Sequence, residues 1–218
     1  MSDDVINNYL SIQRNIEKNK KPDQIVNIVS VSKTFGMKKI MPLLKHGAVH
    51  FGENKVQEAT AKWDGIKNNF PNIKIHMLGK LQSNKAKKAV EIFDFIHSLD
   101  SEKLANNLKK NEEILNKKLN YFIQVNVGNE NQKSGIKISE ITEFYNFCSK
   151  AKKLKIIGLM AIPPNDGNEE SHFKILQELN ESIGLNELSM GMSADYEVAL
   201  KFKATFLRIG TSIFGKRN

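Results

Sequence analysis

The sequence predicts an α/β fold: one (β/α)8 barrel of the TIM type, with an extra helix in front of it. Three observations predict it. Short runs rich in Val, Ile and Phe, most of them nearly apolar on both faces, recur eight times along 218 residues. Strands of that kind belong to a parallel sheet covered by helices. Helix-patterned stretches separate the runs, and each strand-plus-helix unit takes about 25 residues once the first 20 are set aside. That is compact for a fold that commonly uses ~250 residues, and it leaves no room for a second domain. The rival, an open doubly wound sheet, usually has fewer strands, and its GxGxxG fingerprint is absent.

The elements follow in order. An amphipathic helix is expected over about 3–20, then strand runs IVNIVSVS (25–32), AVHFGE (48–53), IKIHMLG (73–79), FDFIHSL (93–99), YFIQVNV (121–127), KIIGLMAI (155–162), ELSMGM (187–192) and TFLRIG (205–210). QEATAKWDGIKNN after the second run reads as one helix. SEKLANNLKKNEEILNKK after the fourth starts on Asp100 or Ser101 as cap, with Glu102 in the first turn. SEITEFYNFCSKAKK after the fifth takes Ser139 as cap. Its Ile141, Phe144, Tyr145 and Cys148 share one stripe, which makes Cys148 a core residue rather than a nucleophile. EESHFKILQELNES and ADYEVALKFK supply the helices after runs six and seven, and PPNDGN (163–168) is the one breaker-rich loop.

Composition excludes several classes. Hydrophobic residues make up 40% and charged residues 26%, and cysteine occurs once, so a disordered chain, a disulfide scaffold and a multi-cysteine metal site are ruled out. The net charge of +9 invites a nucleic-acid reading. Only three of the 33 basic residues are arginine, however, and the lysines are spread over the chain, many of them at apparent helix ends. We expect a solvated basic surface and no nucleic-acid partner. No apolar run approaches the ~20 residues of a membrane span, and MSDDVINNYL has no basic region followed by an apolar core. The expectation is a soluble cytoplasmic protein.

Chemistry in this fold sits at the C-terminal strand ends. Lys33 follows the first strand with the parity of Val29 and Val31. Its amine is either desolvated for Schiff-base chemistry or snorkels to water. SMGMSADYE and RIGTSIFGKR, after strands seven and eight, pair Gly191 and Gly210 with Ser193 and Thr211. They read as phosphate-binding turns or as ordinary helix caps. Arg208, inside the last strand, faces either a ligand's ring nitrogen or carboxylate, or a structural partner such as Glu53 or Asp195. Asn54 serves a ligand hydroxyl or, as the safer assignment, caps the next helix. His50, His76 and His97 lie on strands two to four without HxH or HExxH spacing. They read as core histidines rather than metal ligands, and His46 and His172 as solvent-facing.

The motifs VSKTF, HFGENKVQEA, HMLGKLQSNKAK, IHSLDS, QVNVGNENQKSGI, GLMAIPP, LSMGMSADYEVA and RIGTSIFGKR run from about residue 25 to residue 217. In order, they resemble those of the pyridoxal phosphate homeostasis protein family, which is related to the N-terminal barrel of alanine racemases. The resemblance implies that residues 1–218 form one barrel that binds pyridoxal 5′-phosphate (PLP) as an internal aldimine on Lys33. It implies Arg208 at the pyridine nitrogen, Met192, Ser193, Gly210 and Thr211 around the phosphate, and Asn54 lining the cofactor. Phe35, where the family often has proline, together with Lys55 and Lys80, departs from its pattern without removing a cofactor contact. An arginine at the ring nitrogen keeps that nitrogen unprotonated and weakens the electron sink. The implied function is therefore intracellular PLP (vitamin B6) homeostasis with little or no turnover, no catalytic residue and no metal. A low-activity amino-acid racemase is the alternative, and a Schiff-base aldolase acting on a sugar phosphate is a third. Implied partners are PLP and PLP-dependent apo-enzymes as recipients; with no extra domain or interface stripe in the sequence, the chain is expected to be a monomer. Lys133 is a second lysine to consider for the cofactor.

Overall fold

The computed structural model describes residues 2–130 and 134–216; Lys133 and Arg217 lie outside the described residues. Eight strands run parallel in chain order and close into a barrel. They are β1 (Asn27–Val31), β2 (His50–Glu53), β3 (Lys74–Met77), β4 (Phe95–Leu99), β5 (Asn120–Gln124), β6 (Ile156–Met160), β7 (Glu187–Met192) and β8 (Phe206–Ile209). Closure pairs β8 with β1 and sets Val29 opposite Arg208. The helices are α1 (Ser2–Asn19), α2 (Met37–His46), α3 (Val56–Trp63), α4 (Ile66–Asn69), α5 (Ala86–Ile92), α6 (Glu102–Leu115), α7 (Ile141–Asn146), α8 (Glu169–Ser182), α9 (Tyr196–Lys201) and α10 (Thr211–Phe214).

The alternation of side chains along each strand divides the core in two. Val29, Val31, Leu78, Phe122, Met160 and Phe206 meet inside the barrel. Phe51, Ile75, Ile96, Tyr121, Leu188 and Leu207 belong to the larger layer, with helix residues such as Leu43, Trp63, Leu104 and Phe173. Both faces of the strands are thus buried, which is why they read as continuous apolar runs rather than alternating ones.

Local corrections to the sequence reading have identifiable causes. The helix expected over QEATAKWDGIKNN is two, because Asp64 is extended and Gly65 takes φ 75° between α3 and α4. Ser139 is not a cap: it sits inside a 3₁₀ turn over Ile138–Glu140 that leads into α7. His172 is not solvent-facing, since its side chain is 12% exposed and its Nε2 lies 3.1 Å from Asp166. Ser101 does cap α6, its hydroxyl accepting from Leu104 N–H at 3.3 Å. Cys148 is fully buried, and burial pushes its thiol up to about 12.

The N-terminal helix buries Val5, Tyr9, Ile12 and Ile16 and reaches the helices that follow the last two strands. Asn15 Nδ2 donates to the Tyr196 hydroxyl of α9 at 2.6 Å, and Asn8 Nδ2 to the Ile213 carbonyl of α10 at 3.1 Å. Among the described residues no helix is long and apolar enough to cross a membrane.

Candidate functional site

Lys33, Asn54, Met192, Ser193, Arg208, Gly210 and Thr211, the seven residues singled out in the sequence, line one cavity of about 260 Å³ at the C-terminal mouth of the barrel. Val31, Leu78 and Ile162 supply its apolar wall. The strands that carry these residues end on one face, so positions up to 178 residues apart, from Lys33 to Thr211, arrive together.

The turn after β1 carries Lys33 and is tied down from two sides. Phe35 N–H donates to the Ser32 carbonyl at 3.1 Å, and Thr34 between them takes φ 69°. The Ser32 hydroxyl donates to Glu53 Oε1 at 2.7 Å, and Lys62 Nζ donates to the Ser32 carbonyl at 2.8 Å. Lys62 also contacts Glu53 at 2.8 Å and Glu58 at 3.0 Å, and Glu58 accepts from Thr34 N–H at 2.5 Å. Glu53 is wholly buried and takes a third donor, Trp63 Nε1, at 3.1 Å. Burial raises its pKa against the lowering effect of Lys62, Ser32 and Trp63. Lys33 itself is half-buried, and Phe35 packs on Phe214 with ring centroids 5.2 Å apart.

Asn54 is not a helix cap. The residue at the α3 start is Lys55, which makes no side-chain cap bond, and the half-buried Asn54 faces the cavity instead. Its backbone closes on the next strand end, where a Cβ on Gly79 would meet the Asn54 carbonyl oxygen at 2.3 Å. Lys55, Lys80 and Lys85 line the adjoining groove together with Asn54 and Gln82, so the departures at 55 and 80 add positive charge at the rim.

On the other side, the end of β7 needs glycine at 191. Its φ is +87°, and an added Cβ would lie 2.7 Å from Ala199 Cβ and 2.9 Å from Leu207 Cδ2. Asp195 shapes this turn by accepting from Met192 N–H at 2.5 Å, and Ser212 N–H donates to Ser193 Oγ at 3.2 Å, linking it to the turn after β8. Ser193 and Thr211 are not caps of the helices that follow, whose cap residues are Asp195 and Gly210.

Arg208 is buried and forms no salt bridge with Glu53 or Asp195. Its Nη1 donates to the Ser189 carbonyl at 2.6 Å and to Ser189 Oγ at 2.8 Å, and its Nη2 to the Ala161 carbonyl at 2.8 Å. Burial pulls it down to about 10, with Asp195 acting the other way; it remains a cation at neutral pH. A buried cation held by neutral oxygens stands in the wall of a cavity that also carries an amine and two hydroxyls.

Comparison with known proteins decides the family. The family model described as alanine racemase, N-terminal domain, matches residues 4–218. The pyridoxal phosphate homeostasis protein of Vibrio alginolyticus is 35% identical, over 95% of this chain and 98% of its own. The chain belongs to the pyridoxal phosphate homeostasis protein family. PipY of Synechococcus elongatus, solved with PLP bound, superposes with a TM-score of 0.85 at 32% identity, covering 97% of this chain and 100% of PipY. An alanine racemase from Corynebacterium glutamicum shares the fold, with a TM-score of 0.70 at 16% identity, and this chain covers 61% of it.

The residues that brace this family member's mouth were the ones least visible in sequence. Lys62 and Trp63 lay inside an ordinary amphipathic helix, and Ser189 inside an apolar strand. The only signal was Glu53, a carboxylate in a strand otherwise fit for full burial, which required a cation from somewhere.

Proposed function

We propose that this chain binds PLP at the C-terminal mouth of the barrel and serves its homeostasis, with little or no turnover of its own. The observation that carries this is the convergence of the Lys33 amine, the buried Arg208 guanidinium and the Ser193 and Thr211 hydroxyls on one cavity. That donor set suits PLP, an aldehyde with a pyridine ring and a phosphate. PLP supplies an electrophilic aldehyde and, in enzymes that use it, an electron sink.

The chain's own residues take these parts. Lys33 presents its amine from a turn held by Glu53, Glu58 and Lys62. Ser193, Thr211, Met192 and Gly210 border the space assigned to the phosphate, where backbone can approach closely: a Cβ on Gly210 would meet the Val31 carbonyl oxygen at 3.2 Å. Arg208 donates and does not accept, so it hands the ring nitrogen no proton that it would keep. Asn54 borders the cofactor's polar edge.

The non-catalytic reading draws support from coverage. The chain spans 98% of the homeostasis protein of V. alginolyticus but 61% of the racemase. The same reading takes residues 1–218 as one working unit, monomeric and cytoplasmic, which gives up PLP to apo-enzymes. Sedimentation checks the first of these properties, and transfer to a PLP-depleted aminotransferase checks the last.

The decisive experiment is borohydride reduction of the PLP-loaded protein followed by peptide mass mapping. The pyridoxyl group is expected on Lys33, and Lys33→Ala is expected to lose the visible absorbance entirely; labelling elsewhere with Lys33 unmodified overturns the assignment. The likeness in fold to racemases keeps a second reading in view. Chiral analysis of alanine after incubation with the loaded protein tests it, and turnover abolished by Lys33→Ala would establish it.

A further inference from the structure

Three histidines and a serine form a continuous hydrogen-bonded line through the barrel. His50 Nδ1 lies 2.9 Å from His76 Nε2, His76 Nδ1 lies 2.8 Å from His97 Nε2, and His97 Nδ1 lies 2.7 Å from Ser189 Oγ. Ser189 Oγ is in turn 2.8 Å from Arg208 Nη1. The line starts at half-buried His50 on β2, beside a pocket it shares with Tyr9, Arg14 and Asn27, and ends at the cofactor mouth. Its flanks are apolar: His76 stacks on Phe95 with centroids 4.3 Å apart, His97 stacks on Phe122 at 4.4 Å, and Phe206 stands against both histidines. His76, His97 and Ser189 are fully buried.

The two ends are chemically unequal, and that sets a direction. A guanidinium has only donors, so Arg208 occupies a lone pair of Ser189 Oγ. Among the described residues the other partner of that hydroxyl is His97 Nδ1. The serine proton therefore goes to His97 Nδ1, because the reverse arrangement leaves a buried hydroxyl hydrogen with no acceptor. His97 then carries its proton on Nε2 and donates to His76 Nδ1, and His76 likewise donates from Nε2 to His50 Nδ1. Charged groups near the line are Arg208 at one end and Lys74, Lys67 and Asp94 around the other. Burial, with the neighbouring histidines and cations adding to it, holds His76 and His97 well below the ordinary imidazole range.

We infer that His50, His76 and His97 form a directional column of neutral imidazoles, which keeps the Ser189 lone pair turned to Arg208 and so positions the guanidinium in the wall of the mouth. These are positioning residues. The column does not feed protons to the mouth, because beyond Ser189 stands a group with no acceptor site. Its bearing on the cofactor rests on the function proposed above, but the column itself is tested in protein carrying no cofactor.

The test is ¹⁵N labelling of histidine, with ring ¹H–¹⁵N correlation spectra of the cofactor-free protein. His76 and His97 are expected as single neutral tautomers with the proton on Nε2 throughout the neutral pH range. A proton on Nδ1 of His97, or an imidazolium at either residue, overturns the inference. Ser189→Ala removes the group that sets the direction, and is expected to convert the single tautomer of His97 into a mixture, while Ser189→Thr restores it. An unchanged tautomer in Ser189→Ala overturns the role of Arg208 in orienting the column. Where Ser189→Ala fails to fold, His97→Gln supplies the reading: its amide keeps one acceptor and one donor, so His76 is expected to retain its Nε2 proton, and loss of that proton counts against the column. In the PLP-loaded protein, His97→Phe is expected to shift the visible absorbance and His97→Gln to leave it in place, which a merely structural histidine does not predict.

Discussion

On the β1–β2 side of the mouth, three ionisable side chains hold the turn that carries Lys33: Lys62 bridges Glu53 and Glu58, at side-chain exposures of 8%, 0% and 27%. On the β7–β8 side the charged groups are bonded to neutral atoms, Arg208 to two carbonyls and a hydroxyl, and Asp195 to a backbone N–H. The first side spends its carboxylates internally. The second leaves a cation and hydroxyls beside the cavity, which is where an anion is best received. The contrast also divides the energetics. A buried ion pair fails severely when one partner is removed, whereas neutral bonds around one cation fail piecemeal.

The two sides of the mouth should differ most in their response to losing Lys62. Lys62→Met strands Glu53 in the core and is expected to cost about 3–5 kcal/mol, read as a lowered urea midpoint; a loss below about 1 kcal/mol would mean the ionic side is not organised by this pair. Next in size is the acid response of the histidine column. His50 is pulled to about 4 from its ordinary 6.5, chiefly by burial and then by Lys74, and His76 and His97 fall well below 6.5. The unfolded chain binds these protons more readily, so the stability is present above pH 6.5 and is lost as the pH falls from there toward about 4. The expected slope is roughly 1.4 kcal/mol per pH unit for each proton taken up. His97→Gln, by removing one titrating group, should flatten unfolding curves recorded across that window.

Smaller effects sharpen the contrast. Arg208→Met leaves the Ala161 carbonyl and the Ser189 hydroxyl short of a donor, at about 1–3 kcal/mol. Thermal melts in low and high salt should show this loss unchanged by salt if the neutral frame is as described. Trp63→Phe removes one of three donors to Glu53 Oε1 and is expected to cost about 1 kcal/mol. A melt indistinguishable from the parent would show that Lys62 and Ser32 suffice.

Much of this was open to reading along the chain. The strands were legible because burial on both faces leaves eight apolar runs that no other class of fold explains well. Their ends were legible to within a few residues; Ile25, counted in the first run, is 77% exposed and precedes β1. Lys33 and Arg208 stood out as charges in apolar surroundings. The break at Asp64-Gly65 is hidden in the sequence because helical periodicity continues through it, and the place of Ser139 because a 3₁₀ turn and a helix start with the same residues. Residue type alone favours a cap at Asn54 and the family resemblance favours the cofactor; in the fold Asn54 lines the cavity and Lys55 stands at the helix start.

The order of strands and helices, the parity that turns Lys33 and Arg208 inward, and the glycines at the last two strand ends can be read along the chain, because they follow from local periodicity and backbone sterics. The partners of the buried polar groups in the barrel are set by the closed fold. Closing the barrel seats Arg208 on Ser189 and the Ala161 carbonyl rather than on Glu53 or Asp195, and curving β2–β4 round to β7 sets three histidines nose to tail on a serine 92 residues away from the nearest of them. Hydrogen-bond partners depend on the shear of the closed barrel, a long-range property that no short window of residues contains.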